Sequence, residues 1–182
     1  SLFLKGRLMS KVLKPEPFTG LKSDATYLFL ISPDKIPHLV LVKDLLYYAL
    51  TYKESVIGAD FSAYFNALKR SRKRMIILEL TDIERFPETV FSQYQEAGEK
   101  TCFVPVKESL LSSSESNFIY QLVPDLYKAN KIVKAYQLNL EEELDDLGDF
   151  RMNEYSLQDI YSYIESLKNE HAERNKSISE NP

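Results

Sequence analysis

Residues 25–52, ATYLFLISPDKIPHLVLVKDLLYYALTY, form the densest apolar run in the chain, and whatever fold is adopted must bury them. The run is broken only at Ser32, Pro33, Asp34 and Pro37, which are turn-forming residues. Its pieces at 26–31 and 38–43 are short and rich in β-branched and aromatic residues, so they predict two buried strands joined by a turn. A third piece at 45–51 follows after Lys43 and Asp44, which is the spacing of a two-residue hairpin. Its tyrosines and threonine favour a strand. The alternative is a helix capped by Asp44, because Leu and Ala are good helix formers.

Further apolar runs at 3–12, 75–80 and 101–106 read as additional strands. Helical spacing predicts helices near 60–69, with Asp60 as N-cap, near 87–97, opened by Pro87, and near 115–136, opened by a Ser112/Glu115 capping box. The expected fold is α/β (α+β), a mainly antiparallel or mixed sheet covered by helices, within a core domain at 1–140. An acidic linker follows at 141–155. Ser156 and Asp159 cap an appended amphipathic helix at 156–174, and residues 175–182 make a polar tail expected to be disordered.

Several classes are excluded by what the chain lacks. The five glycines are isolated from one another, so there is no Gly-rich phosphate loop of the dinucleotide or P-loop type. The two histidines and one cysteine share no ligand-like spacing, and neither a metal nor a cofactor is expected. No apolar run approaches the roughly 20 residues of a membrane-spanning helix. A single cysteine forms no internal disulfide, which fits a reducing, cytoplasmic setting, although the chain begins at serine and a native targeting segment could have preceded it.

Charge is unevenly placed. Up to Met75 there are 13 Lys and Arg against 6 Asp and Glu, and from Ile76 onward 10 against 21. Mutual attraction of the two halves, within the fold or between copies, is the simplest reading. The KRSRKR run, with Lys69, Arg70, Arg72, Lys73 and Arg74, carries enough charge to contact phosphates. It lacks interleaved aromatics and the whole chain is acidic, so nucleic acid is an unlikely partner and a solvated surface loop is expected.

Two functional readings follow. The first is a non-catalytic binding or assembly module. In it the C-terminal stripe of Leu157, Ile160, Tyr161, Ile164 and Leu167 docks on a protein partner or a second copy, or folds back on its own domain. Tyrosines at 47, 48, 52, 64, 155, 161 and 163, which can bury a ring while keeping the hydroxyl wet, would suit an interface or cleft, with use in the core as the default. The second is a cysteine-dependent hydrolase. Cys102 and His38 form the one nucleophile–base pair the chain can supply, since an imidazole that accepts a thiol proton makes sulfur nucleophilic.

The segment YLFLISPDKIPHLVLVKDLLYYAL, in which a strand and turn lead into a His-headed strand and a Tyr-containing strand, resembles the histidine half of circularly permuted papain-like thiol hydrolases. The resemblance implies His38 as the catalytic base and Cys102 as a nucleophile expected at a helix N-terminus. Here the sequence departs from the pattern. Phe103-Val104-Pro105 reads as strand rather than as a helix start, the turn before the histidine lacks Gly-Asp, and no orienting polar third residue stands out. Read without the resemblance, both residues are structural: a small core thiol and a strand-end histidine.

Overall fold

The computed structural model describes residues 11–94 and 102–180. Nine strands are present among them: β1 (Val12–Leu13), β2 (Glu16–Pro17), β3 (Thr26–Ile31), β4 (His38–Lys43), β5 (Leu46–Leu50), β6 (Ser55–Asp60), β7 (Met75–Leu80), β8 (Ile132–Leu138) and β9 (Phe150–Arg151). The α-helices among the same residues are α1 (Phe61–Arg70), α2 (Pro87–Ser92), α3 (Phe103–Leu110), α4 (Ile119–Lys128) and α5 (Leu157–Glu180). Seven strands make one mixed sheet in the order β2-β8-β7-β3-β4-β5-β6, antiparallel except for β2 beside β8; β1 and β9 pair separately. The fold class is α+β.

Strand β3 sits at the centre because it is apolar on both faces. Tyr27, Phe29 and Ile31 point one way and Leu28 and Leu30 the other, as a two-residue period requires. On the first face β3 joins Val40, Val42 and Ile77 beneath α1, whose Phe61, Phe65 and Leu68 pack down. Phe29 touches the Phe61 ring at 4.7 Å and the Phe65 ring at 5.6 Å, both edge-on. On the second face Leu39, Leu41, Ile76 and Leu78 meet Phe91 of α2, Val106 of α3 and Leu122 of α4. The result is a sheet sandwiched between one helix and three.

The hairpin between β4 and β5 resolves the strand-or-helix alternative in favour of strand. Its two turn residues are Asp44 and Leu45, both left-handed at φ 51° and 63°, the signature of a type I′ turn. The expected turn, one residue earlier, is therefore displaced. Gly58 has φ 73° and is the extra residue of a bulge, since Tyr47 pairs with Ala59 and Tyr48 with Ile57. The stretch leading to Asp60, for which the sequence predicts no strand, is β6.

Other expectations need correction. The strand expected at 101–106 is instead the start of α3, because Pro105 falls in the first helical turn, where its missing N–H costs nothing. The helix expected at 115–136 is the shorter α4 followed by β8, and Phe118 rather than Ser112 precedes it, without a side-chain cap. Pro124 lies inside α4. The region 141–155 is tied to the core: Phe150 and Met152 are buried, and the Met152 N–H donates to the Lys11 carbonyl at 2.8 Å. The last helix runs through the expected tail to Glu180. Most of the strand expected at 3–12 and the end of the helix expected at 87–97 lie outside the described residues.

Basic and acidic halves meet through Lys11–Glu154, Lys14–Asp149, Lys22–Glu79 and Arg74–Glu143. Within the KRSRKR turn Arg74 also reaches Asp34 at 2.8 Å; the other four cations are exposed, Lys69 lying over the Phe65 ring at 4.7 Å. No helix of the described residues is long and apolar enough to cross a membrane, and no group of His, Cys, Asp or Glu among them is placed to hold a metal ion.

Candidate active site

The fold brings Cys102 to the head of α3, as its N-cap residue. At this position the first turn of a helix offers unpaired backbone N–H groups, which favour negative charge. The sulfur faces its own backbone N–H and that of Leu39 in β4. Leu39 has an N–H to offer because β5 has already peeled away. The β4–β5 ladder ends at Leu41 opposite Tyr48, so β5 does not pair with β4 at Leu39.

His38 is the residue immediately before that N–H. Strand alternation places it in register with Ile31 and with the face that α1 covers, whereas Cys102 packs with the residues of the opposite face. The two side chains therefore belong to opposite faces of the sheet, and what they share is the cavity at its end. Both residues line one cavity of about 630 Å³ at this end of the sheet. Among the described residues no hydrogen bond joins the two, and none orients the imidazole.

The cavity has a core wall and a helical wall. Ile36, Leu50, Tyr52, Phe103 and Phe118 belong to the first, and Ile160, Ile164 and Leu167 of α5 to the second. This apolar lining governs the electrostatics. Burial lowers His38 from 6.5 to about 4, since the imidazolium is poorly solvated. Burial likewise pushes the Cys102 thiol up to about 11, against the opposing pull of the Leu39 N–H and its own. At neutral pH the cavity is therefore lined by an uncharged thiol and an uncharged imidazole.

Tyr155 completes the site and has no counterpart in the sequence reading beyond its membership of the tyrosine set. It lines the cavity, its ring stands edge-on to Phe118 at 5.6 Å and Tyr120 at 5.1 Å, and its carbonyl accepts the Tyr120 hydroxyl at 2.7 Å. Its phenol is raised well above the usual range by burial and next by the nearby thiol. No spacing in the sequence could have linked position 155 to position 102.

The residues proposed for an interface lie along α5. Ile160, Ile164 and Leu167 turn half-buried toward their own chain's cavity, whereas Leu157 and Tyr161 remain 51% and 45% exposed. The basic patch lies elsewhere, in the turn between α1 and β7, and contributes nothing to the cavity lining. Comparison of the chain with protein-family models, with curated proteins and with solved structures finds no match.

Proposed function

We propose that the protein is a cysteine-dependent hydrolase of acyl compounds, of the permuted papain-like kind, with Cys102 as nucleophile and His38 as base. One observation carries the reading: the thiol heads a helix, against the N–H next to His38, in a cavity that both residues line. A helix start is what the resemblance required and what the residues after Cys102 argued against.

In the reaction Cys102 Sγ attacks the substrate carbonyl carbon while its proton passes to the imidazole of His38. The new C–S bond leaves an oxyanion, which the N–H groups at the head of α3 stabilise. Collapse breaks the bond to the leaving group, which takes the proton from His38. Water then attacks the thioester, with His38 accepting its proton and returning one to the sulfur. An imidazole lowered by burial is a weak base in the empty cavity, and both water entry and the nearby oxyanion favour its protonated form.

Turnover of p-nitrophenyl acetate tests this. His38→Ala is expected to slow it by about 10²- to 10⁴-fold, the usual contribution of a positioned base, and Cys102→Ser to abolish it. Equal turnover in all three proteins contradicts the reading. A second reading, association through α5, is favoured by the exposure of Leu157 and Tyr161. Light scattering of a Leu157→Ser/Tyr161→Ser variant tests it, because a multimer held by these side chains would dissociate.

A further inference from the structure

Helix α5 covers the cavity without packing into it. None of its side chains described here is buried: Ile160, Tyr163, Ile164 and Leu167 are half-buried, and the rest are exposed. Beneath the apolar stripe lies open space rather than interlocking side chains. Polar contacts between the helix and the core include two exposed ones, Lys53 Nζ with His171 Nδ1 at 3.1 Å and Lys168 over the Tyr52 ring at 6.0 Å.

The base of the helix is built differently. Asn153 Nδ2 donates to the Asp34 carbonyl at 2.8 Å, Met152 is buried and bonded to Lys11, and Tyr155 is clamped by Phe118 and Tyr120. Ser156 and Asp159 then cap the helix reciprocally, the Ser156 N–H donating to Asp159 Oδ2 at 2.8 Å and the Asp159 N–H to Ser156 Oγ at 3.2 Å. A firmly anchored segment thus passes, at the junction of residues 155 and 156, into a self-contained helix that rests loosely on a void. That is the construction of a hinge.

We propose that α5 is a hinged lid over Cys102, closed in this structure, and that substrate reaches the thiol when the lid swings about the junction of residues 155 and 156. The proposal rests on the hydrolase reading for its substrate, though not for its motion. When closed, the lid limits access to the half-buried Cys102; when open, it wets the cavity and exposes the thiol to reactant.

Because Cys102 is the chain's only cysteine, its reaction with DTNB reports access to the site directly. Ile164→Asp and Leu167→Asp weaken only the closed state and are expected to raise the rate at neutral pH by at least about tenfold, in proportion to the open population. Glu173→Gln, away from the apolar stripe, is expected to leave it unchanged. The small reagent methyl methanethiosulfonate should show the same acceleration, since a gate acts before the chemistry. Far-UV circular dichroism checks that each variant is folded, and should either aspartate variant unfold, Leu167→Ser replaces it. Folded variants that react at the wild-type rate overturn the lid. If the lid variants react faster but His38→Ala in their background leaves ester acylation unchanged, the lid stands and the hydrolase reading fails. His38-dependent acylation with unchanged access gives the reverse.

Discussion

His38 is an imidazole at the start of a central strand, held against apolar neighbours, and that setting has a consequence for stability. Its value in the folded chain is about 4 against 6.5 for a free imidazole. Between those two pH values the unfolded chain binds the proton and the folded chain does not, so stability is full above about 6.5 and falls as pH drops toward 4. The largest loss this allows is about 3 kcal/mol, at 1.36 kcal/mol per unit. Urea denaturation across that window should show the decline in the wild type and a shallower one in His38→Gln. Cys102 acts at the other end, because a thiol held protonated to about 11 makes folding less favourable as pH rises past 9.

Among the elements, the turn between α1 and β7 illustrates how little a dense charge run says about where it matters. Arg72 and Lys73 project outward, and replacing both by serine should leave Tm unchanged in a thermal melt. Arg74 differs because it bridges Asp34 and Glu143. Arg74→Ser is expected to lower Tm slightly, and less so at high salt, where an exposed pair is screened. Elements buried on both faces were the most legible in the sequence. β3, β4 and β7 read as continuous apolar runs with few alternatives. β8 did not, since IVKAYQL lies toward one side of the sheet with exposed Val133 and Lys134, and its neighbours extend a helical pattern. α3 was misread because Phe, Val and Pro favour extended chain locally. Only packing of Phe103, Val106 and Leu110 onto the sheet shows that helix wins.

For the molecule as a whole, the two-sided sheet makes Phe29 a shared support for the α1 face. It is fully buried and contacts the rings of Phe18, Tyr27, Phe61 and Phe65. Phe29→Ala should cost about 3–5 kcal/mol in equilibrium unfolding, as truncation of a buried aromatic does. The same architecture places the candidate site. The sheet end where β5 departs from β4 leaves the Leu39 N–H open to Cys102, and α3 presents the thiol there. Sequence alone could name Cys102 and His38 but not place them on one cavity, because that depends on where β5 ends and on a helix start that the local residues disguise. Tyr155 and the wall formed by α5 depend on tertiary placement alone. The central claim is that His38 takes the proton from Cys102, and the pH dependence of acylation by p-nitrophenyl acetate tests it most directly, with the adduct located at position 102 by mass spectrometry. A base with a value of about 4 predicts a His38-dependent acylation rate that is nearly flat between about pH 5 and 9. A rate that instead climbs about tenfold per pH unit across that range, equally in wild type and His38→Ala, would mean that an unassisted thiol reacts only as it ionises, and would contradict the account.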